Sequence, residues 1–396
     1  MIWSLGLEGN SLVVMPVGSG KSVVIAAFAS EVNEPILILV PSKELLEQDL
    51  EKLRKYVPDS EIGIFSASMN SKTINKFTFA TIQSAYKHPE LFAHFKIAII
   101  DECHQVNMRK LDGMYNKLFK QMKTKVIGLT ATPFRNDFYY RRNSDYQYDI
   151  DSVHCVKMIN RYQERFWKQL IYVNQIIDLI MDDYLVPLTY HDCRLMEQDD
   201  IPINKSASDF DLEAYEKLVI DKESQIIATI QRQQNTSKSV LVFASSKEQA
   251  NRLASVFHAP TVFGDTPKKD RERIINGFKD GSIKTVVNVN CLTTGFDHPQ
   301  LDCIILARPT RSLSLHLQML GRGTRTAEGK TTCDVYDFVG NVDYMGRIET
   351  MEIAKNDNKW DVKTEKGWWH LREVYRHKLK FKEETIKWFS KYNGII

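Results

Sequence analysis

The string MPVGSGKS at residues 15–22 constrains the fold of this chain more than any other feature. It follows a β-rich run (residues 11–15) and opens a helical stretch (residues 21–32), the setting in which a glycine-rich loop cradles phosphate. Gly18 and Gly20 let the backbone turn sharply, so that several N–H groups and the start of the helix converge on one anion. Val17 and Ser19 complete the cradle, Lys21 would reach the β- and γ-phosphates of ATP, and Ser22 would hold Mg²⁺. Residues 35–40 then read as a strand and residues 43–56 as a helix, the βαβ order of a parallel sheet.

Residues 95–100 (FKIAII) are apolar without alternation, as a strand covered on both faces should be, and residues 125–129 read the same way. Acids at the carboxyl end of such a strand face the crevice where α/β sheets bind ligands. DECH at residues 101–104 stands there, and two adjacent carboxylates in a crevice are costly without a cation. Asp101 is therefore expected to hold Mg²⁺ through water, and Glu102 to orient and activate an attacking water. Beside them, His104 is a candidate sensor of the phosphate state.

Between residues 136 and 183 the text turns polar and tyrosine-rich, and residues 158–181 look helical. A second βα series follows, with strands at 239–243, 285–289 and 303–307 and helices at 247–257 and 268–278. The expected organisation is a first α/β domain at 1–137, a connecting helical segment at 138–183, a second α/β domain at 184–344 and an extension at 345–396. In QMLGRGTR (residues 318–325) Arg322 and Arg325 stand one helical turn apart on a glycine-interrupted segment. Two such guanidinium groups suit a γ-phosphate that gains charge, the role of an arginine finger. Their distance along the chain from Lys21 implies a composite site closed by two domains, which would couple hydrolysis to domain motion.

Composition excludes more than it specifies. The 396 residues allow two or three domains. No apolar run reaches the roughly 18 residues of a membrane span, and residues 1–7 lack the basic flank of a secretion signal. A cytoplasmic location is the expectation, with no membrane partner. Cys103, Cys155, Cys193, Cys291, Cys303 and Cys333 lie far apart without a CxxC pair, so neither zinc nor a disulfide framework is expected. A net charge of +3 does not establish a polyanionic partner. Its distribution says more: residues 359–396 carry ten Lys/Arg against five Asp/Glu, interleaved with Trp360, Trp368, Trp369 and Trp388. Such a tail either lies along a phosphate backbone and stacks bases, or packs as a helix on the second domain.

With these pieces in order the chain resembles the superfamily 2 helicases of the DEAD/DEAH-like (DECH) kind, and among them the RadD helicases and their phage-encoded relatives. MPVGSGKS is similar to motif I, LVPSKELLEQ (39–48) to Ia, FATIQSAY (79–86) to Ib, DECH to II and LTATPFR (129–135) to III. VLVFASSKEQA (240–250) resembles motif IV, VNVNCLTTGFDHP (287–299) motif V and QMLGRGTR motif VI. The resemblance implies two tandem RecA-like P-loop domains with parallel sheets and a short C-terminal extension. It further implies that Thr130 and Thr132 couple the nucleotide site to the nucleic-acid site, that Gln318 meets His104, and that Gly295 and Asp297 lie near ribose and phosphates. Ser42, Thr81, Gln83 and Ser84 from the first domain, with Ser245, Thr293 and Thr294 from the second, would contact one strand's backbone. The chain departs from the pattern in three places. No Tyr-Gln element is recognisable before motif I, the zinc-binding cysteines of the RadD tail are absent, and Val17 stands where motif I usually has Thr.

The implied activity is that of an ATP-dependent DNA helicase or translocase, expected as a monomer. It would couple Mg-ATP hydrolysis between the domains to movement on single-stranded, forked or branched DNA. Three alternatives stay open: an RNA helicase, the motor subunit of a restriction-type complex, and an ATP-switched nucleic-acid clamp.

Overall fold

Strand β1 (Asn10–Val14) delivers the glycine-rich loop, and is followed by β2 (Ile36–Val40), β3 (Ile62–Ser66), β4 (Ser71–Lys72), β5 (Phe77–Thr81), β6 (Ile97–Ile100) and β7 (Lys125–Thr130). Next come β8 (Phe134–Arg142), β9 (Asp149–Met158) and β10 (Trp167–Val173). The structure is a computed structural model that describes residues 1–142, 149–163, 166–204, 209–293, 295–369 and 375–380. The chain divides into two units, the first made of Met1–Phe134, Met158–Leu185 and Thr294–Asp297, the second of Arg135–Lys157, Val186–Thr293 and His298–Ile396.

The first unit is built on one sheet in the order β10-β1-β7-β6-β2-β5-β3-β4. Every neighbouring pair is parallel except β3 with β4. All residues of β2, β5 and β6 are buried, as their unbroken apolar text demands of strands covered on both faces. The helices Lys21–Glu31 and Lys43–Leu53 bring Ile25, Phe28, Leu46 and Leu50 onto Val13, Ile38, Phe79 and Ile99. Parallel pairing gathers the carboxyl ends of β1, β7, β6, β2 and β5 along one edge. Motifs I, III, II, Ia and Ib emerge there in that spatial order.

The segment 138–183, expected to be helical, is not. Among its described residues helix is confined to Ile159–Tyr162 and Ile176–Met181, while Trp167–Val173 is an edge strand parallel to β1. In WKQLIYV Trp167 and Leu170 are buried, and its aromatic and β-branched residues suit a pleated surface. The longer-range helical pattern masked that run. The start of the segment belongs to β8 and β9, which form a three-stranded sheet with β20 (Tyr375–Lys380) in the order β20-β9-β8, β20 running antiparallel to β9.

The second unit carries β11 (Leu188–Asp192), β12 (Val240–Ala244), β13 (Thr261–Val262), β14 (Thr285–Asn288), β15 (Cys303–Ala307) and β16 (Cys333–Asp337). They form a fully parallel sheet in the order β11-β16-β15-β12-β14-β13. The helix Leu313–Leu320 stops at Gly321, so the expected helical turn carrying Arg322 and Arg325 is absent. Glycine weakens the helix at 321 and 323, and a Cβ on Gly323 would lie 2.7 Å from Cys333 Sγ.

Residues 352–368 of the extension form a meander, with β17 (Glu352–Asn356), β18 (Lys359–Thr364) and β19 (Gly367–Trp368) pairing antiparallel. Asp357 and Asn358 both take positive φ (47° and 62°) between β17 and β18, the two-residue turn that matches strand twist. Trp369 is buried, while Trp360 and Trp368 are half-buried, each beneath a lysine: Lys355 Nζ at 5.4 Å and Lys363 Nζ at 5.5 Å. The remaining aromatic and basic residues of 381–396, Trp388 among them, lie outside the described residues. All six cysteines are unbridged. Among the described residues no helix is long and apolar enough to cross a membrane.

Candidate active site

The loop after β1 is anchored to β7 by Met15 N–H, which donates to the Thr130 carbonyl (3.0 Å). Gly18 and Gly20 take φ of +84° and +85°, a region costly to any residue with a Cβ, and Gly20 caps the helix that begins at Lys21. Ser19 closes the turn on the Pro16 carbonyl through its backbone N–H and its hydroxyl (2.7 Å). The Lys21 ammonium donates to the carbonyls of Met15 (3.4 Å) and Pro16 (3.3 Å), lying over its own loop. Ser22 Oγ donates to Asp49 Oδ1 at 2.5 Å.

Two strands away, β6 ends in Asp101 and Glu102. Glu102 holds φ 49° and ψ 45°, a left-handed conformation that a non-glycine residue keeps only when its surroundings enforce it. Its Oε2 lies 3.3 Å from His104 Nδ1. The same ring nitrogen lies 2.9 Å from Thr130 Oγ1, which accepts the Thr132 N–H at 3.0 Å. Motifs II and III are thereby joined by one short hydrogen-bonded chain, and Thr130 ties it to motif I through its carbonyl.

Burial pushes the Asp49 carboxyl up to about 6, against the Ser22 hydrogen bond and the Lys21 charge, which favour its ionised form. Asp101 is pushed well above the ordinary carboxylate range, first by complete burial and then by the charges of Asp49 and Glu102. Asp49 Oδ2, Asp101 Oδ1 and Thr132 Oγ1 are buried without a hydrogen-bond partner. Orphaned carboxylate oxygens beside a hydroxyl are hard donors, the type Mg²⁺ takes with phosphate oxygens and water, so Ser22 and Asp101 fit that ion. Among the described residues no group of three or more His, Cys, Asp or Glu forms a metal cage of its own. Phosphate and water would have to supply the remaining positions.

Further along the same edge, past β2 and β5, lies a pocket of about 420 Å³. Ser42, Thr81, Gln83 and Ser84 line it, with Lys43, Lys72, Lys87 and His88. Ser42 also caps its helix by accepting from Leu45 N–H, and Gln83 donates to the Pro41 carbonyl. Thr81 donates to Ser84 Oγ, which also accepts from Ala67 N–H. From β1 to β5 is four strand spacings, roughly 19 Å at ~4.8 Å each, so one rigid sheet carries both the phosphate loop and this pocket.

In the second unit the Arg322 guanidinium, 4% exposed, donates from Nε (3.1 Å) and Nη2 to the Thr293 carbonyl, bracing the loop after β14. Thr293 Oγ1 donates to the Asn290 carbonyl, and Asn288 Oδ1 accepts Leu292 N–H. Gln318 and Arg325 are half-buried there, whereas Gly295, with φ +69°, and the half-buried Asp297 group with the first unit.

Residues 7–135 match the family model described as the type III restriction enzyme res subunit, and residues 221–327 match the helicase conserved C-terminal domain. The chain carries both of these domains, the pair that the resemblance to superfamily 2 helicases implies. It is 26% identical over 382 residues to the putative ATP-dependent helicase IRC3 of Saccharomyces cerevisiae, an alignment covering 89% of this chain and 52% of that protein. It is 25% identical over 367 residues to the DNA 3'-5' translocase XPB2 of Sulfurisphaera tokodaii, covering 85% and 80%. The chain thus spans about half the length of its yeast relatives. Among solved structures, the fragment of a putative HsdR subunit of a type I restriction enzyme from Vibrio vulnificus superposes with TM-score 0.61 at 21% identity, covering 87% of this chain and 63% of that one. That likeness is one of fold.

In the first unit the structure brings Val17 to Ser22, Asp101, Glu102, His104, Thr130 and Thr132 together around the phosphate loop, and Ser42, Thr81, Gln83 and Ser84 into one pocket. Ser245 departs from its expected strand contact. It is 3% exposed, and its hydroxyl turns inward onto Glu216 and Gln249. Its motif IV position precedes the helix cap, a task that falls to Ser246. Thr294 lies outside the described residues. The reading also missed Asp49, whose acid sits in an otherwise apolar helix face, and the pocket lysines at 72 and 87, which belong to no helicase motif.

Proposed function

We propose that the chain is an ATP-driven motor on DNA that couples hydrolysis at the phosphate loop to movement along one strand. The observation that carries this reading is the Glu102–His104–Thr130 chain, on the same sheet edge as the loop at Lys21 and the pocket at Thr81. Lys21 would leave its own loop carbonyls for the β- and γ-phosphates, while Glu102 takes a proton from the attacking water. Bound between Ser22 and Asp101, Mg²⁺ would neutralise phosphate charge. Gln318, Arg322 and Arg325 are assigned to the γ-phosphate, Gly295 and Asp297 to the ribose and phosphates, and Thr293 and Thr294 to the strand. His104, Thr130 and Thr132 would relay the state of the phosphate across the sheet edge. Ser42, Thr81, Gln83 and Ser84 would grip phosphodiesters without reading bases. A cytoplasmic location and a RadD-like substrate class belong to the same proposal.

The names of the relatives favour DNA over RNA, and XPB2 is called a DNA 3'-5' translocase. ATP turnover with matched single-stranded DNA, duplex DNA, forked DNA and RNA tests the reading. Stimulation by DNA above RNA is expected. Greater stimulation by RNA moves the protein to the RNA helicases, and none by any polymer overturns the motor. The match to a restriction-enzyme family model favours one second reading, the motor subunit of a restriction-type complex. In that case turnover would rise further when separate modification and cutting subunits are added.

A further inference from the structure

Asp49 belongs to none of the recognised motifs. The helix Lys43–Leu53 buries Leu45, Leu46, Leu50 and Leu53 in the apolar core, and Asp49 is the one acid on that buried face. It is 1% exposed, and its Oδ2 has no hydrogen-bond partner. A leucine would be the default in such a place, because an incompletely satisfied buried carboxylate is strongly unfavourable. What the position offers is proximity. Oδ1 accepts the Ser22 hydroxyl proton at 2.5 Å, and the Asp49 charge acts directly on Asp101, whose Oδ1 is also orphaned.

We propose that Asp49 is a positioning residue for the divalent cation: by accepting the Ser22 proton it turns the hydroxyl's lone pairs toward the ion that accompanies the nucleotide. The inference rests on the nucleotide reading of the loop. A serine hydroxyl has one proton and two lone pairs. A proton pointing at the cation would repel it. With the proton committed to Asp49, both lone pairs are available on the far side, and the carboxylate makes Oγ a better donor. Partners that orient a metal ligand in this way typically change metal affinity ~10- to 100-fold when removed.

The test is a Mg²⁺ titration of the binding of a fluorescent, non-hydrolysable ATP analogue to the whole chain, alongside binding in EDTA. In Asp49→Ala, which leaves the Ser22 proton without its acceptor, the Mg²⁺ midpoint should rise at least about tenfold, with affinity in EDTA unchanged within about twofold. Asp49→Leu is the second variant. It matches its apolar neighbours, so it should unfold at equal or higher denaturant than the wild type while showing the same shifted midpoint. In a Ser22→Ala background neither substitution should shift the midpoint further. A Mg²⁺ midpoint unchanged in both variants, or a Leu variant that is merely less stable, overturns the proposal. Failure of the wild type to bind the analogue at all would instead overturn the nucleotide reading.

Discussion

His104 Nδ1 and Thr130 Oγ1 lie 2.9 Å apart, which joins the end of β6 to the end of β7 directly beneath the phosphate loop. Glu102 stands 3.3 Å from the same ring nitrogen, so the acid assigned to water activation and the threonine of motif III share one histidine. A change in the charge near Glu102 is therefore felt at Thr130 without any movement of the sheet. Thr130→Val keeps the shape of the side chain and removes its hydroxyl. It should lower the kcat of DNA-stimulated ATP hydrolysis about tenfold, the worth of one well-made hydrogen bond, and leave the KM for ATP in place. Steady-state kinetics with and without DNA check this.

The close approach behind the acid motif is equally testable. A Cβ on Gly128 would lie 2.6 Å from the Trp167 ring and 2.7 Å from Cys103 Sγ, so β7 admits only glycine between β10 and the start of motif II. Gly128→Ala should destabilise the first unit by about 1–3 kcal/mol, as overpacking does. A lower denaturant midpoint in chemical unfolding would register it.

The pocket along the same edge makes a prediction about salt. Among the described residues no carboxylate pairs with Lys72 or Lys87, both exposed at its rim. Each neutralised phosphate on a single strand contributes about 0.7 to the slope of log K against log salt. Replacing both lysines by alanine should weaken single-stranded DNA binding for all sequences alike and reduce that slope by about 1.4. Fluorescence anisotropy across a salt series measures it.

How much of this was legible in the sequence depended on whether the chemistry was written contiguously. The phosphate loop, the DECH acids and the hydroxyls of motifs Ia and Ib are short strings at strand ends, and the parallel sheet brings them to one edge as the spacing implied. Trp167–Val173 was obscured because a seven-residue strand without clear alternation sits inside a longer helical pattern, and only pairing with β1 decides between them. Asp49 lay hidden in KELLEQDLEKL as an ordinary polar residue of an amphipathic helix, since its burial depends on a loop 27 residues away. Arg322 was read for its charge, whereas its bond to the Thr293 carbonyl depends on how Gly321 and Gly323 end the helix.

Acid should weaken the second unit through His316. Its ring is fully buried, Nε2 donates to the Gly346 carbonyl, and burial pushes its pKa down to about 4 from an ordinary 6.5. The unfolded chain therefore binds the proton first as pH falls. The stability held by the neutral ring is complete above about pH 6.5 and is lost progressively toward pH 4, a loss of about 3 kcal/mol. His316→Gln keeps a donor and does not titrate, so its denaturant midpoint should fall less than that of the wild type between pH 7 and pH 5.

The most direct test of the account is hydrolysis of one bound nucleotide by Glu102→Gln, followed in a single turnover with nucleotide binding measured on the same preparation. The variant should bind ATP as the wild type does and hydrolyse it about 10²–10⁴-fold more slowly, with Lys21→Ala losing the binding as well. Wild-type hydrolysis in Glu102→Gln would contradict the assignment of this edge of the sheet as the catalytic site.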